Sequence, residues 1–162
     1  MRLSGRRVLV AFSLLLLSAC SSVLTDRGYG VVKYGDSLQD AERALGKKAE
    51  TAPGDGECYY VTFKDYPGVS FMIEDGKIVR ADAENARLKN SLGIAIGAPL
   101  AEVLKSHPEA TVEPHQYDPS GHYLLFLSPD RERAFVFEES GGRITAIRSG
   151  LAQAAQYVEG CL

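Results

Sequence analysis

Two stretches of this chain carry the same pattern, and that repeat decides what each part can bury. In the first stretch, Gly35-Asp36-Ser37-Leu38 opens a short helical period. Leu38, Ala41 and Leu45 share one face, Glu42 and Arg43 point away, and Gly46 can end the helix. In the second, Gly97-Ala98-Pro99-Leu100 opens a helix whose apolar face is Leu100, Val103 and Leu104, with Pro108 as the stop. Each helix is followed by strand-like runs. Val69, Phe71 and Ile73 alternate with Ser70, Met72 and Glu74, the period of a half-buried strand. Asp75-Gly76 is a strong hairpin turn, and residues 77–84 return from it. In the second stretch, residues 123–127, 134–138 and 143–148 take the corresponding places, with Gly141-Gly142 as the turn. One such unit has difficulty covering its apolar face. The repeat therefore predicts an α+β fold of two tandem units, each a short helix followed by a three-stranded antiparallel meander, packed as one domain. The halves are about 28–86 and 87–162, joined by an apolar, buried segment at 92–97.

The N-terminus gives an address. Arg2, Arg6 and Arg7 precede the apolar run from Val8 to Leu17, and Leu17-Ser18-Ala19-Cys20 follows. A basic start, a short apolar core and small residues before a cut site make a secretory signal, and the apolar run is too short to span a bilayer comfortably. With Cys at the cut site the segment resembles a bacterial lipoprotein signal. That resemblance implies a diacylglyceryl group on the Cys20 sulfur, removal of residues 1–19 and acylation of the new amino group. Residues 20–27 then form a lipidated tether, and 28–162 the folded domain. Ser21, rather than Asp, implies export to the outer membrane, with the domain facing the periplasm.

Processing changes the charge. The chain has 162 residues, 18 basic and 21 acidic; loss of the three N-terminal arginines takes the net charge from −3 to −6. That balance leaves no electrostatic footprint for nucleic acid and no polybasic patch beside the anchor. Attachment to the membrane falls to the acyl chains, two or three of which hold durably where one does not. With Cys20 lipidated, Cys58 and Cys161 remain. Two thiols in an oxidising compartment predict one disulfide, two free thiols being the alternative. No cofactor is expected, and no zinc site either: the cysteines are not closely spaced, and His107, His115 and His122 lack a ligand spacing.

The densest polar segment runs from Glu113 to Tyr123, with His115, Tyr117, Asp118, His122 and Tyr123 crowded around Pro114, Pro119 and Gly121. Three readings compete: a partner-binding loop with aromatic contacts, a metal site at His115, Asp118 and His122, or a polar hairpin whose tyrosines pack at a sheet edge. Catalysis has little support. Ser120 beside His122 is a loop adjacency without the orienting group a nucleophile needs, and Glu138-Glu139 reads as a solvated face beside a turn. No catalytic residue is assigned, and Tyr59, Tyr60 and Tyr66 read as core before binding face.

A lipobox, a Gly-Asp-Ser-Leu helix start and strands closing on an Asp-Gly hairpin resemble the SmpA/OmlA (BamE-like) outer-membrane lipoproteins. The duplicated form is similar to the beta-lactamase inhibitor protein. Both resemblances imply a binding module and not an enzyme. The expected function is a non-catalytic envelope lipoprotein that binds a protein partner, as assembly factor or adaptor. The alternative is an inhibitor or immunity-type lipoprotein that blocks a periplasmic hydrolase. The anchor is directly testable: Cys20→Ala should abolish palmitate incorporation and release the protein from the membrane fraction. Full retention in membranes would refute it.

Overall fold

The computed structural model describes residues 22–51 and 56–161; Cys20 lies outside them. The chain order is β1 (Val23–Thr25), β2 (Gly28–Tyr29), β3 (Val32–Lys33), α1 (Leu38–Leu45), β4 (Glu50–Thr51), β5 (Cys58–Thr62), β6 (Val69–Glu74), β7 (Lys77–Ala83), β8 (Lys89–Asn90), α2 (Leu100–Ser106), β9 (Thr111–Pro114), β10 (His122–Leu127), β11 (Arg133–Ser140), β12 (Arg143–Leu151) and α3 (Ala152–Ala155).

The expected α+β arrangement of two tandem helix-plus-three-strand units does not describe this molecule, which is mostly β. An eight-stranded sheet runs β4-β5-β6-β7-β12-β11-β10-β9, and a separate four-stranded sheet runs β3-β2-β1-β8. The helices span only eight, seven and four residues. The physical reason for the error is length. Strands of two to four residues show too few alternations for a period of two to register, and β1, β2, β3, β4, β8 and β9 are all of that kind. The second sheet consists wholly of such strands. It draws β1 from residues read as tether, with Leu24 fully buried. The segment 92–97 is not uniformly buried: Ile94 is inside, while Gly93, Ala95 and Gly97 are exposed.

The longer elements follow from local chemistry. Ser37 caps α1 by accepting the Asp40 amide, and Gly46 ends it at φ 67°. β6 and β7 turn at Asp75-Gly76, and β11 and β12 at Gly141-Gly142. Antiparallel pairing of β7 with β12 makes the large sheet continuous, with Ala81 opposite Ser149 and Arg80 opposite Gly150. Gly150 permits that approach: a Cβ there would lie 2.3 Å from the Val79 carbonyl oxygen.

The large sheet buries both faces. The inner face carries Val61, Phe71, Ile73, Ile78, Leu124, Phe137 and Ile147, covered by α1, α2 and the small sheet through Ala41, Val103, Leu24 and Val32. Ser149 Oγ ties the sheets together by donating to the Thr25 carbonyl (2.8 Å).

The outer face is covered by the C-terminal strap, residues 152–161. Ala155 packs on Tyr123, Leu125, Ala134 and Val136, and Ala154 packs on Met72 and Val79. Beneath the strap lie two buried arginines. Arg80 donates from Nη1 to the carbonyls of Ala154 (3.0 Å) and Tyr157 (2.8 Å), from Nη2 to Tyr60 Oη (2.6 Å) and from Nε to Asp82 Oδ2 (2.9 Å). Arg148 donates from Nη1 to the same Tyr157 carbonyl (2.8 Å) and pairs through Nη2 with Glu138 Oε1 (3.1 Å). The end of the strap is bonded to β5 by the Cys58–Cys161 disulfide, across 103 residues.

A cross-link spanning that much chain limits the unfolded ensemble strongly, and disulfides of this kind contribute about 2–4 kcal/mol. A Cys58→Ser, Cys161→Ser double variant should lose stability of that order (about 2–4 kcal/mol) in urea unfolding. An unchanged midpoint would show that the bond adds nothing to the fold.

Candidate functional site

β9 is the edge strand of the large sheet beyond β10, and all four of its residues are exposed. The His115 amide donates to the Gly121 carbonyl (3.0 Å). Alternation along an antiparallel ladder then turns Glu113 and Thr111 towards β10, leaving the Val112 amide and the carbonyls of Val112 and Pro114 on the open edge. Pro114, having no N–H, shortens the row of donors. Val112 is one of the few large apolar residues exposed among the described residues, at 42%.

The loop from His115 to Gly121 is held by side chains bonded to its own backbone. His115 Nδ1 accepts the amides of Tyr117 and Asp118, both at 3.1 Å. Its proton therefore sits on Nε2, 3.9 Å from Glu138 Oε2. The His115 ring stacks on Tyr123, with centroids 4.5 Å apart. Asp118 Oδ1 accepts from the Ser120 amide (2.9 Å) and hydroxyl (2.8 Å), and Oδ2 accepts from Ser140 Oγ (2.5 Å). These bonds, Ser140 first, hold the Asp118 carboxyl well below the usual range, at about 2. His122 Nδ1 donates to Glu139 Oε2 (2.7 Å), and the Gly142 amide donates to Glu139 Oε1 (2.6 Å). Glu139 is only 1% exposed, so His122 and Gly142 satisfy a buried carboxylate.

The five residues singled out by sequence thus share one corner of the sheet but not one role. Tyr117 stands at the loop tip, 64% exposed. His122 is partly exposed, while Tyr123 and the His115 ring are largely covered. Asp118 spends both oxygens inside the loop. Among the described residues no three His, Cys, Asp or Glu side chains are grouped as metal ligands. Val112 went unread in the sequence, and the reading of Glu138-Glu139 as a solvated face fails at Glu139, which is buried. β9 is too short to show a strand period, and Glu139 takes the inner face by ordinary alternation after Phe135 and Phe137, the irregularity in the ladder falling on β12 at Thr145. In the first half, Tyr66 is buried, stands edge-on to Tyr29 and accepts the Val31 amide at Oη.

No protein-family model and no curated protein matches this chain. Among solved structures, the chain is similar to the crystal structure of the uncharacterized protein yfeY from Escherichia coli. The TM-score is 0.51 at 14% identity, over 79% of this chain and 99% of that one. It is also similar to an extracellular protein containing a SCP domain from Bacillus anthracis str. Ames. There the TM-score is 0.49 at 12% identity, over 91% of this chain and 50% of that one. At such identities the first likeness is one of fold, and the second carries no argument.

The loop's order has a defined acid limit. Asp118 ionises more readily in the folded protein than its ordinary value of 3.8. Its contribution is therefore complete above that value and is lost as pH falls towards 2. A carboxyl-carbon NMR titration should place the Asp118 midpoint at about 2, and Ser140→Ala should raise it. A midpoint near 3.8 in the unaltered protein would contradict the hydrogen-bond assignment.

Proposed function

We propose that this chain is a non-catalytic, lipid-anchored envelope protein that holds a protein partner at the β9 edge and the β9–β10 loop. One observation carries the reading: a loop locked by its own side chains presents an exposed tyrosine. Exposed aromatic side chains on pre-ordered loops make efficient anchors, because little conformational freedom remains to be lost on binding. Val112 and the open backbone groups of β9 lie on the same edge and extend the surface. The anchor at Cys20, the outer membrane and the periplasmic orientation belong to this proposal and rest on the lipobox resemblance. Within it, Tyr117 is the principal contact and His122 a flanking one. His115, Asp118 and Tyr123 shape the loop.

A photo-crosslinking residue at position 117 should capture a defined envelope protein in intact cells, and the same residue at Glu50 on the opposite sheet edge should not. Tyr117→Ala should reduce recovery of that partner at least tenfold while shifting the melting temperature by no more than about 1 °C, since the side chain packs on little. Equal recovery with Tyr117→Ala would place the contact surface elsewhere. Capture of a single hydrolase whose activity falls on binding would favour the inhibitor reading over the assembly or adaptor reading.

A further inference from the structure

The described chain enters the fold at one end of the small sheet. Ser22 lies against Gly30: a Cβ on Gly30 would stand 3.1 Å from the Ser22 hydroxyl oxygen. Gly30 and Val31 form the hairpin between β2 and β3, where Tyr29 pairs with Val32. The register fixes what else shares that end. Leu24 lies opposite Tyr29 on β2, and Val23 runs beside Lys89 of β8. The start of β1, the Gly30-Val31 hairpin and the start of β8 therefore lie together, and the β1–β2 turn at Asp26-Arg27 lies at the other end. Val31 is the most exposed large aliphatic residue among those described, at 45%. Its amide donates to the hydroxyl of buried Tyr66 (3.1 Å), so the hairpin tip is held in place. The approach to β8 adds Arg87 and Lys89, both exposed.

Chain length decides what this end meets. Ser22 is two residue steps from Cys20. However residues 20 and 21 run, they span at most about 7 Å. That is half the ~14 Å radius of gyration of a domain this size. The polar layer on each side of a bilayer's hydrocarbon core is itself about 5–8 Å deep. Acyl chains on Cys20 cannot enter the bilayer unless this end of the domain reaches its surface. Charge favours the same seating. The processed chain carries a net −6, which an anionic surface repels. The sequence next to Cys20 has no basic run, but the parallel pairing of β1 with β8 brings Arg87 and Lys89 beside it, against the single carboxylate of Glu84 on that connection. We infer that this end of the small sheet is a bilayer-contact face. Val31 enters the headgroup boundary beside the acyl chains, and Arg87 and Lys89 lie over the phosphates of anionic lipids. The contact rests on the proposed lipid at Cys20 and fixes which way the anchored domain faces.

The chain has no tryptophan, so Val31→Trp and Glu132→Trp each supply a single fluorophore. Glu132 is exposed and precedes Arg133, which pairs with Asp26 in the β1–β2 turn at the other end of the small sheet. Each variant is purified with its lipid and disulfide, and mass spectrometry checks the lipid. It is then reconstituted in phosphatidylcholine vesicles containing phosphatidylglycerol and a phospholipid spin-labelled near its headgroup. The expected result is quenching about twofold or more stronger at position 31 than at position 132. Adding Arg87→Gln and Lys89→Gln to Val31→Trp should weaken the quenching in these vesicles and leave it unchanged in phosphatidylcholine alone. The unaltered lipoprotein supplies a second measurement that needs no variant to fold: a phospholipid with a photoreactive headgroup should label residues 28–33 and 84–89 in preference to 128–133. Equal quenching at the two positions in lipidated protein, or even labelling of the three segments, would overturn the contact face while leaving the anchor standing, and would leave Val31 to a protein contact. Quenching indifferent to Arg87→Gln and Lys89→Gln would overturn the assignment of the phosphates to these two residues. A protein that carries no lipid would overturn the anchor and the contact face together.

Discussion

One backbone carbonyl organises the outer half of this molecule. The oxygen of Tyr157 accepts from both Arg80 and Arg148, at 2.8 Å each. The two guanidiniums come from adjacent strands, one from each half of the sheet. Burying a guanidinium is costly unless its charge and its donors are met. Asp82 and Glu138 meet the charges, and the strap supplies the remaining acceptors. The strap therefore completes the sheet. Without it, two cations and the apolar groups Met72, Val79, Leu125 and Val136 would face water. Asp82 shows what the arrangement costs: burial pushes its carboxyl upward while Arg80 and Arg148 pull it down.

The disulfide and the arginines act on different states. The Cys58–Cys161 bond restricts the unfolded chain and keeps the strap's end beside β5. The arginines choose where the strap lies once the protein is folded. Apolar packing alone would leave its register loosely fixed, whereas directed bonds to Ala154, Tyr157 and Val158 set it residue by residue. That register also shapes the cleft beside Tyr123, because Val158 forms one of its walls. The strap and β9 flank the same corner of the sheet, so covering the outer face and shaping the proposed recognition edge are linked.

The parts legible in the sequence are those with enough residues to show a period or a specific turn. The alternation of faces through Val69, Phe71 and Ile73 is present, although Met72 on the other face is buried too, and so are the Asp75-Gly76 and Gly141-Gly142 turns, the helix start at Gly35-Asp36-Ser37-Leu38 and its end at Gly46. The pairing of Cys58 with Cys161 was readable because only two thiols remained. The second sheet was not readable, since strands such as Gly28–Tyr29 and Val32–Lys33 are held by tertiary contacts and not by propensity. At the candidate site, composition located the loop but not its division of labour. A histidine that accepts two amides and one that supports a buried carboxylate look alike in sequence. The burial of Arg80 and Arg148 was not legible at all, because nothing local announced a strap that would arrive from the C-terminus to cover them.

The most direct test of the strap's dependence on the buried arginines is hydrogen exchange in Arg80→Met with the disulfide intact. Methionine keeps much of the apolar volume and removes the donors to Ala154, Tyr157 and Tyr60. The expected result is faster exchange in peptides covering residues 152–161, with peptides from the inner core of β10 and β11 unchanged. Strap protection equal to that of the unaltered protein would contradict the claim that the arginines hold it in place.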